Sequence, residues 1–219
     1  MSLTRPALAL FATVFLSAQE ALPVKLPPPA TGGMSLAETF AGRKTVRTLK
    51  GPGLTLGEAG QLCWAAQGEN RPGKRVVPSA HAGYPLELYL LTQGSKTLPA
   101  GFYHYLPAGH QLQKLADGSP SATLGAMKSM QPWIASAPAV FVVGGVPTRI
   151  DSTPRGSSLT FYEAGAAAQD VLLQSVALGL DAGTAAGIDM AALGQALKLP
   201  AGIQALIVLP VGREKSPNS

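Results

Sequence analysis

The sequence predicts an α+β fold in which a central antiparallel or mixed β-sheet is flanked by helices. Hydrophobic residues make up 46% of the 219 residues and charged residues only 13%, which is typical of a compact domain with a large apolar core. Segments with helical and strand periodicity alternate irregularly along the chain. This order favours separate layers of helices and sheet over a regular series of βαβ units.

The first residues have the parts of a secretory signal peptide. Arg5 precedes an apolar stretch, residues 7–16, and the small residue Ala18 follows at a suitable cleavage point. The apolar stretch is too short to span a bilayer as a helix. A plain N-terminal helix is the alternative interpretation.

We therefore expect residues 1–18 to be a signal peptide and residues 19–34, rich in Pro, Ala and Gly, to be a linker or arm. Residues 35–215 should form the folded domain. The protein would then be exported, to a bacterial periplasm or outside the cell, with no integral membrane span in the mature chain. Without the signal it would stay in the cytoplasm.

Two helices are predicted to begin at capping boxes. Ser35 stands three residues before Glu38, and Thr55 three residues before Glu58. In each pair the hydroxyl accepts a hydrogen bond from a backbone N–H of the first turn, and the carboxylate reaches back to the capping residue. The first helix should run to about residue 43, and the second from residue 56 to residue 67, where a glycine ends it.

The strands are predicted from alternating or continuous apolar runs. Residues 86–92 alternate, and residues 139–144 form a continuous apolar run that is typical of a central strand. Residues 102–106 and 111–115 predict a hairpin with a Pro-Ala-Gly turn. Residues 205–211 predict the last strand.

Two further helices complete the predicted elements. The longest should lie at residues 158–180, where apolar side chains recur at helical spacing among many Ala and Gly residues. So many small residues indicate packing against other helices on most sides. Asp189 can cap a helix that runs to Lys198, where a positive charge suits the helix dipole.

Several functional classes are disfavoured. The net charge of +5 comes from scattered basic residues, so nucleic acid is not the expected partner. The single cysteine, Cys63, excludes an intrachain disulfide, and the three histidines lack metal-ligand spacing, so no metal site is expected.

Three familiar motifs are also absent or incomplete. Residues 68–75 nearly form a P-loop, but Arg75 stands where Ser or Thr must hold magnesium, and Pro72 removes a backbone N–H. No Gly-x-Gly-x-x-Gly follows a predicted strand, and no Gly-x-Ser-x-Gly occurs. The sequence thus disfavours a Rossmann site and a serine hydrolase.

Three separated segments suit a flat, anionic cofactor. The first follows the first predicted helix, and in an extended chain its alternate residues Arg43, Thr45 and Arg47 would face the same way. Two guanidinium groups and a hydroxyl can hold a phosphate, although a solvated basic face is the alternative. In the second, residues 77–85, small residues between prolines would let the backbone approach a planar ring. The third, residues 178–187, follows the longest helix and could direct backbone N–H groups at a reducible centre.

Taken in order, these segments resemble the nitroreductase superfamily, and most closely its SagB-type dehydrogenase branch. No single motif is decisive, whereas their common order from residue 35 to residue 213 is specific. The motifs are the R-R-S-x-R-like residues 43–47, the helix at 56–68, P-S-A-x-x-x-Y-P-L-E-L-Y at 78–89, G-x-Y-H-Y at 101–105, E-A-G-x-x-x-Q-x-x-x-L-Q at 163–174, A-L-G-L at 177–180 and P-V-G-R at 210–213.

The resemblance implies a nitroreductase-like fold and a homodimer with two FMN sites at the subunit interface. By the family pattern, Arg43 and Thr45 would hold the FMN phosphate, with Lys44 and Thr45 in place of the more usual Arg and Ser. Arg213 would add to the phosphate grip, and Arg47 would face the pyrimidine edge of the flavin.

The family pattern also assigns the residues around the flavin ring. One subunit would present its backbone to the N5 region through Ala185, Ala186 and Gly187. The other subunit would line the ring and ribityl chain with Pro78, Ser79 and Ala80.

The implied activity is FMN-dependent, ping-pong oxidation or reduction of a small organic donor or acceptor, with NAD(P)H as one candidate electron donor. The flavin would carry the redox step, so no catalytic side chain is required. His81 departs from the branch's usual Gly and could relay protons; a histidine with no part in the chemistry is the alternative.

Two other functional interpretations stay open. A SagB-like azoline or peptide dehydrogenase would act in the cytoplasm with partner proteins, which an export signal argues against. A non-enzymatic flavin- or ligand-binding protein of the same fold is the second. Since the periplasm lacks free NAD(P)H, the sequence does not identify the electron donor of an exported enzyme.

Overall fold

A computed structural model describes residues 22–185 and 187–214 of the chain. The expected signal peptide, the first residues of the expected arm, Ala186 and Lys215 lie outside the described residues. Within those ranges, no helix is both long enough and apolar enough to cross a membrane.

The chain alternates irregularly between strands and helices. In chain order they are β1 (Val24–Lys25), α1 (Leu36–Gly42), β2 (Leu49–Lys50), α2 (Leu56–Gln67), β3 (Glu69–Arg71), β4 (Lys74–Arg75), β5 (Leu86–Thr92), β6 (Gly101–Leu106), β7 (Gln111–Ala116), α3 (Pro120–Leu124), α4 (Pro132–Ala135), β8 (Ala139–Gly145), α5 (Pro154–Ala177), β9 (Asp181–Ala182), α6 (Met190–Ala196) and β10 (Gln204–Glu214).

The strands form one central antiparallel sheet, with a separate small hairpin of β3 and β4. The strand order is β1-β7-β6-β5-β8-β10-β2, and β9 pairs with β10. Each of these pairings is antiparallel. The predicted α+β architecture is therefore confirmed, and its sheet is antiparallel rather than mixed.

Helices cover both faces of this sheet. Every residue of β8 is buried, and its side chains alternate between two cores: Phe141 and Val143 belong to one, Val140 and Val142 to the other. Residues of α2 and α5 form the first core, whereas residues of α4 and α6 form the second. A continuous apolar strand is what a sheet covered on both faces requires.

The capping boxes form as predicted. The Ser35 N–H donates to Glu38 Oε2 at 2.7 Å, and the Thr55 N–H donates to Glu58 Oε2 at 2.8 Å. The α2 boundaries agree with the predicted ones, and Gly68 follows its last residue. Cys63 is fully buried in this helix, and burial raises the pKa of its thiol.

Three predicted helix boundaries were wrong. The long helix α5 begins at Pro154 rather than residue 158, because proline at the first helical position needs no N–H partner. It ends at Ala177. Helix α6 ends at Ala196, two residues before the predicted end, and Lys198 adopts a left-handed φ of 50°. The P-loop-like residues form the β3–β4 hairpin.

Candidate functional site

The first basic segment runs beside the third. Arg43 caps the end of α1 and its N–H donates to the Thr39 carbonyl. Two residues later, Thr45 forms a parallel bridge with Ala182, and the Val46 N–H donates to the Ala182 carbonyl at 3.1 Å. Residues 43–47 and the residues that follow α5 are thus neighbours within one chain.

The alternation expected of this segment is present. Val46 is 3% exposed and packs in the second core, whereas Thr45 and Arg47 are exposed and Arg43 is half-buried. Lys44 lies elsewhere: its Nζ contacts Glu214 Oε2 at 2.5 Å, and this bond raises its pKa. The positive charge of Lys44 is therefore paired with a carboxylate of the last strand, β10.

Close packing around Gly183 brings an aromatic ring to this segment. A β-carbon at position 183 would lie 3.1 Å from the Thr45 methyl and 3.3 Å from the Trp133 ring. The Arg47 guanidinium carbon lies 5.7 Å from the centre of the same ring, within the range of a cation–π contact. The Trp133 Nε1 donates to Gln131 Oε1 at 2.8 Å.

Sequence reasoning missed Trp133 and Gln131. Both lie at the start of α4, a helix of four residues that no periodicity predicts. A tryptophan directly after Gln-Pro was the only local signal, and nothing in its spacing relates it to Arg47. Only the tertiary fold brings them together.

The third segment uses part of its backbone in the sheet. The Gly183 N–H donates to the Pro210 carbonyl at 3.2 Å, and the Ala185 N–H donates to the Val208 carbonyl at 3.1 Å. A ligand beside Ala185 would meet its methyl or carbonyl group. Gly187 is exposed with a φ of 74°, a conformation suited to glycine. Ala186 lies outside the described residues.

Arg213 places a partly exposed cation at the end of the sheet. Its Nη2 donates to Glu58 Oε1 at 2.6 Å, while its Nη1 is buried and has no hydrogen-bond partner among the described residues. A buried donor of a charged group without a partner is costly. An anion bound at this point would satisfy it.

The second segment lies against α5. The Glu163 Oε1 accepts hydrogen bonds from Ser79 Oγ at 3.0 Å and from the Ala80 N–H at 2.8 Å. Burial raises the pKa of Glu163, although these two bonds act against the shift. Pro78 and His81 are exposed beside this anchor.

The first and second segments contact different ends of α5 within the described residues of one chain. A β-carbon on Gly42, next to the first segment, would lie 2.9 Å from the Val176 side chain at the end of α5. The second segment is anchored at Glu163, 176 − 163 = 13 residues earlier in the same helix. At 1.5 Å per residue the two segments are about 20 Å apart along the helix.

The remaining candidates for metal binding or acid–base chemistry are the carboxylates, the cysteine and the histidines. Among the described residues, no group of three or more His, Cys, Asp or Glu side chains could hold a metal ion. His104 bonds to Glu87 and His110 to Tyr105.

The sequence matches a known family. A family model described as the nitroreductase family matches residues 40–213. The chain belongs to the nitroreductase family. It is accordingly an oxidoreductase of the nitroreductase type.

Individual members show how far the likeness extends. A candidate nitroreductase of Methanocaldococcus jannaschii is 29% identical over 184 residues, which are 83% of this chain and 92% of that protein. The crystal structure of a candidate nitroreductase from Ralstonia eutropha is 27% identical, with a TM-score of 0.77 over 99% of this chain and 96% of that one. The predicted nitroreductase-like fold is thereby confirmed.

The fold also occurs within a larger assembly. A chain of the E. coli microcin synthetase complex, solved with a truncated microcin precursor, is 20% identical to this nitroreductase. Its TM-score is 0.66 over 97% of this chain and 85% of that chain. At this identity the likeness concerns the fold alone.

Proposed function

We propose that this nitroreductase-family protein is an FMN-dependent oxidoreductase with its flavin at the interface of two copies of the chain. The observation that carries the proposal is the placement of Thr45 beside Gly183 and of Arg47 beside Trp133, on the segment that begins at Arg43. This arrangement combines phosphate donors with an aromatic surface and a close backbone approach, which a flavin mononucleotide needs.

The residues present fit the phosphate end of FMN. Arg43 and Thr45 would hold the phosphate, and the unpaired Nη1 of Arg213 offers a further donor for a buried anion. Lys44 would add positive charge, reduced by its pairing with Glu214. Arg47, beside Trp133, would face the pyrimidine edge, where a cation stabilises negative charge on a reduced ring.

A second copy would supply the remaining wall. The Pro78–Ser79–Ala80 segment and residues 43–47 contact α5 at points about 20 Å apart in one chain, so we infer that this segment approaches the flavin from the other copy. The Ser79 hydroxyl donates to Glu163 and accepts from the Tyr84 N–H. This segment would therefore contact the ring mainly through its backbone.

When bound, FMN supplies the redox chemistry, and the protein positions it and excludes competing reactions. The substrate would be a small organic molecule, and turnover would be ping-pong, because donor and acceptor would use the same cleft in turn. NAD(P)H is one candidate donor. His81 is exposed on the loop next to Ala80 and could exchange protons with solvent.

Within the family, the motifs at residues 78–89 and 163–174 favour the SagB-type dehydrogenase branch. We also infer export through residues 1–18. Sequencing the N-terminus of protein recovered from the periplasm tests this, since a start at Gln19 is expected and an intact Met1 would contradict it.

The absorption spectrum of the purified protein, with and without NAD(P)H, tests the proposed function. A flavin spectrum that NAD(P)H bleaches and a quinone restores is the expected result. A colourless dimer that takes up no added FMN would refute the proposal. A flavin spectrum that no donor changes would indicate a flavin-binding protein without the activity.

A further inference from the structure

The loop from Ser79 to Tyr84 has an unusual backbone. His81 and Ala82 have φ values of 54° and Tyr84 has a φ of 44°, although left-handed conformations are disfavoured for residues with a β-carbon. Gly83, the loop's glycine, has an ordinary φ of −75°. A β-carbon there would lie 2.7 Å from the Arg149 carbonyl oxygen, so the glycine serves close packing and the strain falls on its neighbours.

A buried carboxylate holds the first half of the loop. Glu163 is 3% exposed, and its Oε1 accepts from both Ser79 Oγ and the Ala80 N–H. The Ser79 Oγ in turn accepts from the Tyr84 N–H at 2.8 Å. One carboxylate oxygen thus fixes both ends of a six-residue loop.

A second group of side chains holds the other half. Arg149 Nη1 donates to the Tyr84 carbonyl at 3.3 Å and pairs with Glu87 Oε1 at 2.6 Å. The Arg75 guanidinium carbon lies 4.9 Å from the centre of the Tyr84 ring. The tip of the loop, His81 and Ala82, is exposed.

We propose that Glu163 is a positioning residue that holds the 79–84 loop in its strained shape for a ligand that Glu163 does not touch. The inference rests on the proposed function, in which this loop forms one wall of the flavin site. Backbone strain that the surrounding structure maintains is typical of ligand-binding loops. A loop already held in its binding shape loses less conformational freedom when the ligand arrives, and affinity rises accordingly.

The test compares Glu163→Ala and Glu163→Gln with Thr160→Val. Thr160 is fully buried one turn earlier in α5, and its hydroxyl donates to the Gly156 carbonyl rather than to the loop. Thr160→Val therefore removes a buried hydrogen bond from the same helix and leaves the anchor intact. Amide hydrogen exchange of residues 79–84 is measured without flavin, and the FMN dissociation constant by fluorescence titration.

We expect faster exchange confined to the loop and FMN binding weaker by about 10- to 100-fold in Glu163→Ala, which corresponds to one or two lost hydrogen bonds to a charged group. Glu163→Gln keeps an acceptor oxygen. Its loop exchange and its FMN affinity should therefore both lie between those of Glu163→Ala and those of the wild type. Thr160→Val should resemble the wild type. If Glu163→Ala does not fold, Glu163→Gln alone carries the comparison.

The outcomes separate this inference from the proposed function. A wild type that binds no FMN refutes the function, and the exchange measurement then decides whether the anchor exists. Equal exchange of the loop in all proteins overturns the inference, as does faster exchange spread evenly over α5 and the sheet. Unchanged FMN affinity beside a loosened loop overturns it too.

Discussion

The Arg213 Nη2 donates to Glu58 Oε1 at 2.6 Å and ties the last strand to the first turn of α2. The other oxygen of Glu58 accepts from the Thr55 N–H at 2.8 Å. One carboxylate therefore caps a helix and pairs with a cation of the candidate phosphate site.

Glu58→Ala should destabilise the protein by about 2 kcal/mol, since it removes a helix cap and leaves the Arg213 guanidinium unpaired. Glu38→Ala is the matched control, because Glu38 makes the same capping box on α1 and has no arginine partner in the described residues. It should destabilise the protein less than Glu58→Ala does, because it removes the capping box alone. Urea unfolding measures both, and equal losses would mean that the Arg213 pair adds nothing.

The double variant Arg43→Ala, Arg47→Ala should bind FMN at least about 100-fold more weakly, because each charged hydrogen bond contributes about 1.5–3 kcal/mol. Arg71→Ala, on the exposed strand β3, is the control for loss of positive charge. Flavin retained on gel filtration and the thermal midpoint are measured together. Wild-type flavin content in the double variant would remove the phosphate assignment.

Gly183→Ala should destabilise the fold by about 1–3 kcal/mol and weaken FMN binding, because the new methyl group would crowd Thr45 and Trp133. Gly165→Ala, in contrast, should stabilise the fold. Position 165 lies within α5 with no atom within 4 Å of the added β-carbon, so a gain of about 0.5–1 kcal/mol in helix stability is expected. Thermal unfolding of both variants checks the pair; a neutral Gly183→Ala would show that the Trp133 contact can relax.

Local signals account for the elements that the sequence predicted well. The capping box at Thr55 and the following glycine define α2, and the continuous apolar run defines β8. The short strands β2 and β9 and the helix α4 carry no such signal, because each exists through its tertiary neighbours. Helix α3 has a local signal that sequence reasoning missed, a capping Ser119 followed by a proline. Two-residue strands have no periodicity to detect.

The candidate site was predictable in its residue types and less so in its contacts. Alternation predicts that Arg43, Thr45 and Arg47 face the same way, and the exposed Thr45 and Arg47 do flank the buried Val46. The bond from Ser79 to Glu163 joins residues 84 positions apart, a separation at which pattern gives no information. The convergence of all three segments across two subunits stays a prediction.

Asp170 gives the stability of this protein a specific pH dependence. Its side chain lines a groove of about 470 Å³ beside Trp64 and Leu173, and burial there raises its pKa from 3.8 to about 6. The Asp170 carboxyl therefore holds its proton more tightly in the folded state than in the unfolded chain. The stabilising contribution is full below pH 4 and is lost as the pH rises to about 6.

Asp170→Asn should therefore stabilise the protein by about 1 kcal/mol near neutral pH and have little effect near pH 4. The full pKa shift would correspond to about 3 kcal/mol, and the smaller value is expected because solvent screens this partly exposed group. Asp117→Asn is a control of opposite sign, because the Lys114 ion pair lowers the pKa of that exposed carboxyl. Loss of the Asp117–Lys114 ion pair in this variant should slightly destabilise the protein at neutral pH and have no effect in acid. Urea unfolding between pH 4 and pH 8 checks both variants. A gain from Asp170→Asn that is the same at every pH would contradict the titration of Asp170 and indicate better packing of the amide instead.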